Sequence, residues 1–180
     1  MMVMTMDNEL PKRKSIRLKN FDYSTAGAYF VTICTENREN YFWNAGIDLQ
    51  MFKWESVGAN CVRPQNLPLS NVGKIVAEEL ERWDKTYAPV LLQSYVIMPN
   101  HLHMIVVISA DENGRPQVAP TLDRMVKQFK GAVTEKVGKP IWQKSFIEHI
   151  IRDREDYEAR RKYISENPIR WYYERLNAGE

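Results

Sequence analysis

A chain of 180 residues that is 44% apolar and 27% charged is long enough for one domain with a real core and too short for a two-lobed enzyme. Its longest apolar run, Met104 to Ile108, falls far below the ~18 residues that span a bilayer. The N-terminus has no signal-peptide pattern, and Cys34 and Cys61 are too few for a disulfide framework or a cysteine zinc site, so a cytoplasmic, non-membrane protein is expected.

The first 15 residues read as a loose tail, the domain as 16–176, and 177–180 as a second short tail. Ala28 to Thr35 is β-branched and aromatic and predicts a strand. Residues 44–69 carry Gly46, Gly58, Pro64 and Pro68 without a clear period and predict an irregular excursion, with room for a short hairpin. From Ser70, a plausible N-cap, Val72, Ile75, Val76, Leu80 and Trp83 recur at helical spacing and predict a helix to about Lys85. Val90–Met98 and Leu102–Ile108 predict neighbouring antiparallel strands joined at Pro99-Asn100 by a tight turn, a bulge or a bend. Leu122, Met125, Val126, Phe129 and Val133 mark the next helix, and Trp142–Ile150 a last strand. Arg152–Asn167 predicts a charged helix that Pro168 should end, because proline disfavours α conformation in the residue before it. The order β, α, β, β, α, β, α predicts an α+β fold. It is the ferredoxin-like or RRM-like antiparallel sheet, with two helices on one face and an added C-terminal helix. That architecture serves binding modules and enzymes alike.

Net charge is only +2, but residues 11–20 hold five basic residues and no acidic one, and residues 121–144 hold six basic and two acidic. Such local excess is compatible with a phosphate backbone as partner. Two of the three histidines stand as His101-Leu102-His103, and strand alternation puts both imidazoles on one face. The pair is half of a divalent-metal site; taken alone, it fits two polar residues at a strand's start, satisfied by neighbours or water, better than a ligand pair. Tyr163 and Asn167, four apart, share a helix face, where an amide oxygen could complete a shell suited to Mg²⁺ or Mn²⁺ beside an attacking phenol. Tyr163 alone fits a packed aromatic as well. His149, next to Glu148, suits a supporting partner, a phosphate contact or a buried structural role.

The run MPNHLHMIVVI (Met98–Ile108) resembles the HUH signature of single-tyrosine transposases, where U is a bulky apolar residue. IWQKSFIEHIIRDREDYEARRKYISENP (Ile141–Pro168) resembles the C-terminal block of the REP-associated tyrosine transposases, and Arg13–Glu39 is similar to the family's opening strand region. The resemblance runs from about residue 13 to residue 175 and is weakest across 44–69. It implies His101 and His103 as metal ligands, Asn167 as the third ligand, Tyr163 as nucleophile, and Tyr157 as the lower-ranked tyrosine. The implied reaction is metal-dependent nicking and strand transfer of single-stranded DNA at hairpin-forming repeats, through a 5′-phosphotyrosine. The implied partners are DNA hairpins with a short flanking sequence, in a prokaryotic, nucleoid-associated setting, with a monomer favoured over a homodimer. Lys12, Arg13, Lys14, Arg17, Arg124, Lys127 and Lys130 are expected DNA-backbone contacts. Two alternatives stand beside this one: a non-cleaving hairpin-binding regulator on the same fold, and a phosphoesterase that uses water.

Overall fold

The computed structural model of the chain describes residues 25–44, 67–88, 90–110 and 121–178. The N-terminal tail, nearly all of the 44–69 excursion, Cys61, and the basic residues Lys12, Arg13, Lys14 and Arg17 lie outside the described residues.

Strands β1 (Gly27–Cys34), β2 (Val90–Met98), β3 (His101–Ile108) and β4 (Ile147–Ile151) form one antiparallel sheet in the order β2-β3-β1-β4. The fold is the expected α+β arrangement, with the two hairpin strands joined by the Pro99-Asn100 turn. Residues opposite one another in an antiparallel pair share a face. On one face Tyr29, Val31 and Ile33 therefore stand beside Val106, Met104 and Leu102, all fully buried.

Helix α1 (Asn71–Glu81) begins where expected, with the Ser70 hydroxyl accepting from the Gly73 N–H at 3.1 Å. It does not continue unbroken to Lys85: the chain turns at Arg82 and resumes as α2 (Trp83–Thr86). Helix α3 (Leu122–Val137) is capped by Thr121 and closed by Gly138 in the left-handed conformation at φ 76°. α1 and α3 pack on each other, and their apolar stripes close the core on the Val31–Met104 side of the sheet. The last strand is shorter than its composition suggests, because Trp142 makes only an isolated bridge with Thr35 before β4 begins at Ile147.

Helix α4 (Arg154–Ala178) corrects the expectation that the last helix stops at Asn167, since it runs through Pro168 for ten further residues. Proline removes one backbone donor and crowds the carbonyl four residues back, at a cost of ~3 kcal/mol. Here packing offsets that cost. Ile164, Asn167 and Pro168 are buried on the inner side, and one turn later Trp171 meets Trp43 edge-on with centroids 5.2 Å apart. Trp43 is itself tied to the sheet by its indole N–H, which donates to the Ile97 carbonyl at 2.8 Å. α4 packs against β2 and β3 and covers the second face of the sheet.

Gly73 shows how closely the 41–44 segment crosses α1. A Cβ there would stand 2.1 Å from the Phe42 carbonyl oxygen, and that carbonyl accepts from the Ser70 N–H. Gly73→Ala is expected to destabilise the fold by about 3 kcal/mol, lowering Tm by about 6–12 °C for a chain of this size. A melt within 2 °C of wild type would show that this crossing is not tight.

Candidate active site

The second sheet face carries the polar groups. His101 and His103 point to it together, as strand alternation requires, and the register sets Cys34 and Met98 beside His101, and Thr32 and Val96 beside His103. His149 of β4 lies on the same face, opposite Phe30. α4 lays Tyr163 across this surface. Its ring meets His103 edge-on at 5.1 Å between centroids and Phe30 at 6.0 Å, and the side chain stays 37% exposed. The His101 and His103 rings are 4.7 Å apart.

Each imidazole is held through its Nδ1. Asn100 Oδ1 lies 2.7 Å from His101 Nδ1, and the Asn100 amide is itself oriented by donating to the Arg38 carbonyl at 3.1 Å. The Asn37–Arg38 turn that presents this carbonyl has left-handed φ values of 52° and 59°. Thr32 Oγ1 lies 2.7 Å from His103 Nδ1. An Nδ1–H tautomer at each ring, donating to these oxygens, leaves each Nε2 lone pair available as a ligand, a support common around metal-binding histidines. Burial, reinforced by the Arg38 charge, pushes His101 down to about 4. Burial, then the neighbouring His101 and Arg38, pushes His103 down to about 3. Both rings are therefore neutral near pH 7, as ligands must be.

Among the described residues, His103 Nε2 and Asn167 Nδ2 are buried polar atoms without a hydrogen-bond partner. Leaving such atoms unpaired costs about 1–3 kcal/mol each. A half-turn of the Asn167 amide replaces its nitrogen with a hard oxygen. Among the described residues no three His, Cys, Asp or Glu side chains cluster to hold a metal, so a cation here needs an oxygen of another type. Two imidazole nitrogens and one amide oxygen fit an incompletely coordinated divalent cation.

The histidine shifts make stability depend on pH. Below the unfolded value of ~6.5 each histidine binds fewer protons folded than unfolded, so its contribution is complete above pH 6.5 and is lost as pH falls towards 4. The loss is up to about 1.4 kcal/mol per pH unit for each ring. Thermal melts of the metal-free protein from pH 7 to 4.5 should show falling Tm, with a shallower slope in His103→Gln. An equal slope in the two proteins would contradict the assignment.

The remaining sequence-derived residues divide. Tyr157 is half-buried, its hydroxyl 3.5 Å from Gln93 Oε1. His149 donates from Nε2 to Asp156 Oδ2 at 2.6 Å. Arg124 and Lys127 are exposed on α3, which packs with α1 and not over the histidine face. Lys130 donates to the Gln143 and Lys144 carbonyls, and burial lowers its pKa. It thereby holds the approach to β4. The structure brings His101, His103, Tyr163, Asn167 and His149 to one sheet face and leaves the α3 cations elsewhere.

No family model matches the chain. It is 32% identical over 183 residues to an uncharacterized protein of Haemophilus influenzae, covering 91% of this chain and 92% of that one. The fold matches a solved REP-associated tyrosine transposase bound to a REP hairpin, with TM-score 0.53 and 20% identity, over 81% of this chain and 68% of that one. A REP-associated tyrosine transposase of Escherichia coli is 30% identical over 83 residues, 46% of each chain. A putative one of Haemophilus influenzae is 27% identical over 85 residues, 43% of this chain and 48% of that one. The chain thus resembles REP-associated tyrosine transposases over part of its sequence and shares the fold of a solved one. The sequence matches span just under half the length of these two transposases. Among the described residues no helix is long and apolar enough to cross a membrane.

The sequence did not single out several residues that shape the site. Thr32 meets His103 across 71 residues of chain, and Phe30 stacks on His103 at 5.2 Å. Both follow from the β1–β3 register, which no local pattern prints. Asn100 had a signal, its place directly before the HUH run, but it read only as a turn residue. Asp156 and Arg160 stand four apart on α4, a spacing that on its own is common to surface ion pairs.

Proposed function

We propose that this chain nicks and rejoins single-stranded DNA beside hairpin-forming repeats, with Tyr163 as the nucleophile. The observation that carries the proposal is the contact between the half-exposed Tyr163 ring and His103, 5.1 Å apart on the face that also holds His101. The solved relative is bound to a REP hairpin, which supports a DNA hairpin with a flanking single strand as partner.

His101 Nε2, His103 Nε2 and Asn167 Oδ1 would hold Mg²⁺ or Mn²⁺. When bound, the cation offsets charge on the scissile phosphate. Tyr163 Oη attacks phosphorus and forms the O–P bond as the bond from phosphorus to the 3′ oxygen breaks. The phenol proton is lost to solvent, and the departing 3′ oxygen takes one up to become a 3′-OH. The 5′-phosphotyrosine keeps the energy of the broken phosphodiester, so attack by a 3′-OH reverses the step and no nucleotide triphosphate is required. Tyrosine and histidines meet within one chain, which supports a monomer acting in cis, and a DNA substrate implies association with the nucleoid. Arg124 and Lys127 line an open groove of about 1020 Å³ with Lys144 and Phe146, a surface suited to a phosphate backbone running away from the cut.

The test is end-labelled hairpin DNA incubated with the full chain and Mn²⁺, read on a denaturing gel. A covalent protein–DNA band is expected. Hairpin binding with no band under either cation would favour the non-cleaving regulator, and cleavage without a band would identify water as nucleophile.

A further inference from the structure

Three chemically different groups converge on the Phe30 ring. His103 stacks on it at 5.2 Å, Tyr163 meets it edge-on at 6.0 Å, and the guanidinium carbon of Arg160 lies 5.4 Å from its centroid. Arg160 precedes Tyr163 by three residues and Asn167 by seven, so all three project from one face of α4. The arginine is also aimed. Its Nε donates to Asp156 Oδ1 at 3.1 Å, and the other carboxylate oxygen accepts from His149 Nε2 at 2.6 Å. Nη2 approaches the same imidazole nitrogen to 3.4 Å, but that nitrogen already gives its N–H to Asp156, so the Nε–Asp156 bond is what aims the fork; Nη1 has no protein partner among the described residues. The Asp156 N–H is held in turn by Asp153 Oδ1 at 2.8 Å, in the first turn of the helix.

We propose that Arg160 is a further catalytic residue, clamping a non-bridging oxygen of the scissile phosphate, and that Asp156 and His149 are positioning residues that aim it. This rests on the Tyr163 reading. The scissile phosphodiester carries one negative charge, and the five-coordinate transition state concentrates more on its equatorial oxygens. A guanidinium keeps its charge at every working pH and presents paired N–H donors in a rigid plane. A simple strut between α4 and β4 would turn its donors onto Asp156. Here one amino group is left over, on a side chain 36% exposed, beside the nucleophile and a metal-binding histidine. Desolvation works against ionised Asp156, but hydrogen bonds from His149 and Arg160 outweigh it and hold the carboxyl below its usual range. The aiming carboxylate is thus charged whenever the enzyme is folded near neutrality.

The experiment measures single-turnover adduct formation on hairpin DNA with Mn²⁺, using an ordinary scissile phosphate and its Rp and Sp phosphorothioates. Arg160→Ala should slow the reaction at least ~100-fold, Arg160→Lys should recover part of that, and Asp156→Asn should slow it about tenfold, all with unchanged melting and hairpin affinity. In the wild type, sulfur at the oxygen facing Arg160 should slow the reaction, and that penalty should vanish in Arg160→Ala while the penalty at the other oxygen persists. A strut could change the rate, but it could not remove the penalty at one diastereomer alone. If Arg160→Ala reacts within threefold of wild type, or keeps both penalties, the clamp is overturned and the Tyr163 reading survives. If the wild type forms no adduct, or Tyr163→Phe still forms one, the Tyr163 reading falls and the clamp with it.

Discussion

Tyr163→Phe should abolish the covalent protein–DNA adduct, by at least ~10³-fold, while hairpin affinity stays within about threefold of wild type. The change removes one oxygen and keeps the ring, so the edge-on contacts with His103 and Phe30 persist. With the side chain 37% exposed, no buried hydrogen bond is broken and the melt should not move. Tyr157 is the internal comparison. It sits six residues earlier, about 9 Å along the helix axis, with its hydroxyl near Gln93. Tyr157→Phe should therefore leave adduct formation within about threefold. An adduct that survives Tyr163→Phe and disappears with Tyr157→Phe would reverse the assignment.

His103→Ala should reduce adduct formation at least ~100-fold and remove the rise in Tm expected from Mn²⁺ binding to the wild type. His103 is the central side chain of the site: 6% exposed, bonded to Thr32, stacked on Phe30, and carrying an Nε2 without a partner among the described residues. Alanine removes the donor and leaves Thr32 Oγ1 without its partner, so a modest loss of stability accompanies the loss of activity. Asn167→Ala should give a milder loss, because the proposed amide-oxygen ligand binds more weakly than an imidazole and no bond to Thr32 or stack on Phe30 is lost with it. Titration with Mn²⁺ by differential scanning fluorimetry separates the effects. A wild-type melt that ignores millimolar Mn²⁺, or a His103→Ala melt that still responds, would refute the three-ligand site.

Much of the fold was legible because the signals are local. The spacing of Leu122, Met125, Val126, Phe129 and Val133 appears in the structure as the buried stripe of α3. The alternation in His101-Leu102-His103 put both imidazoles on one face whatever the strand pairs with. Pro168 misled for the same reason that the rest succeeded. A local steric preference was read correctly, but burial of Ile164, Pro168 and the turn bearing Trp171 outweighs it. Trp142 misled in the same way, since its composition suits a strand and its place allows one bridge.

Period and motif, read along the chain, were sufficient for the α+β class, the pairing of the two histidines on one face, and the shared helix face of Tyr163 and Asn167. Those depend on geometry repeating every two or 3.6 residues, which any stretch of backbone carries with it. The contacts that make a site of these residues lay beyond that reach. Thr32 on His103, Phe30 as the surface shared by imidazole, phenol and guanidinium, and Asp156 between His149 and Arg160 each join separate elements. They exist because the sheet register aligns β1, β3 and β4, and because α4, held past its proline by buried aromatic surface, lies across the face they share.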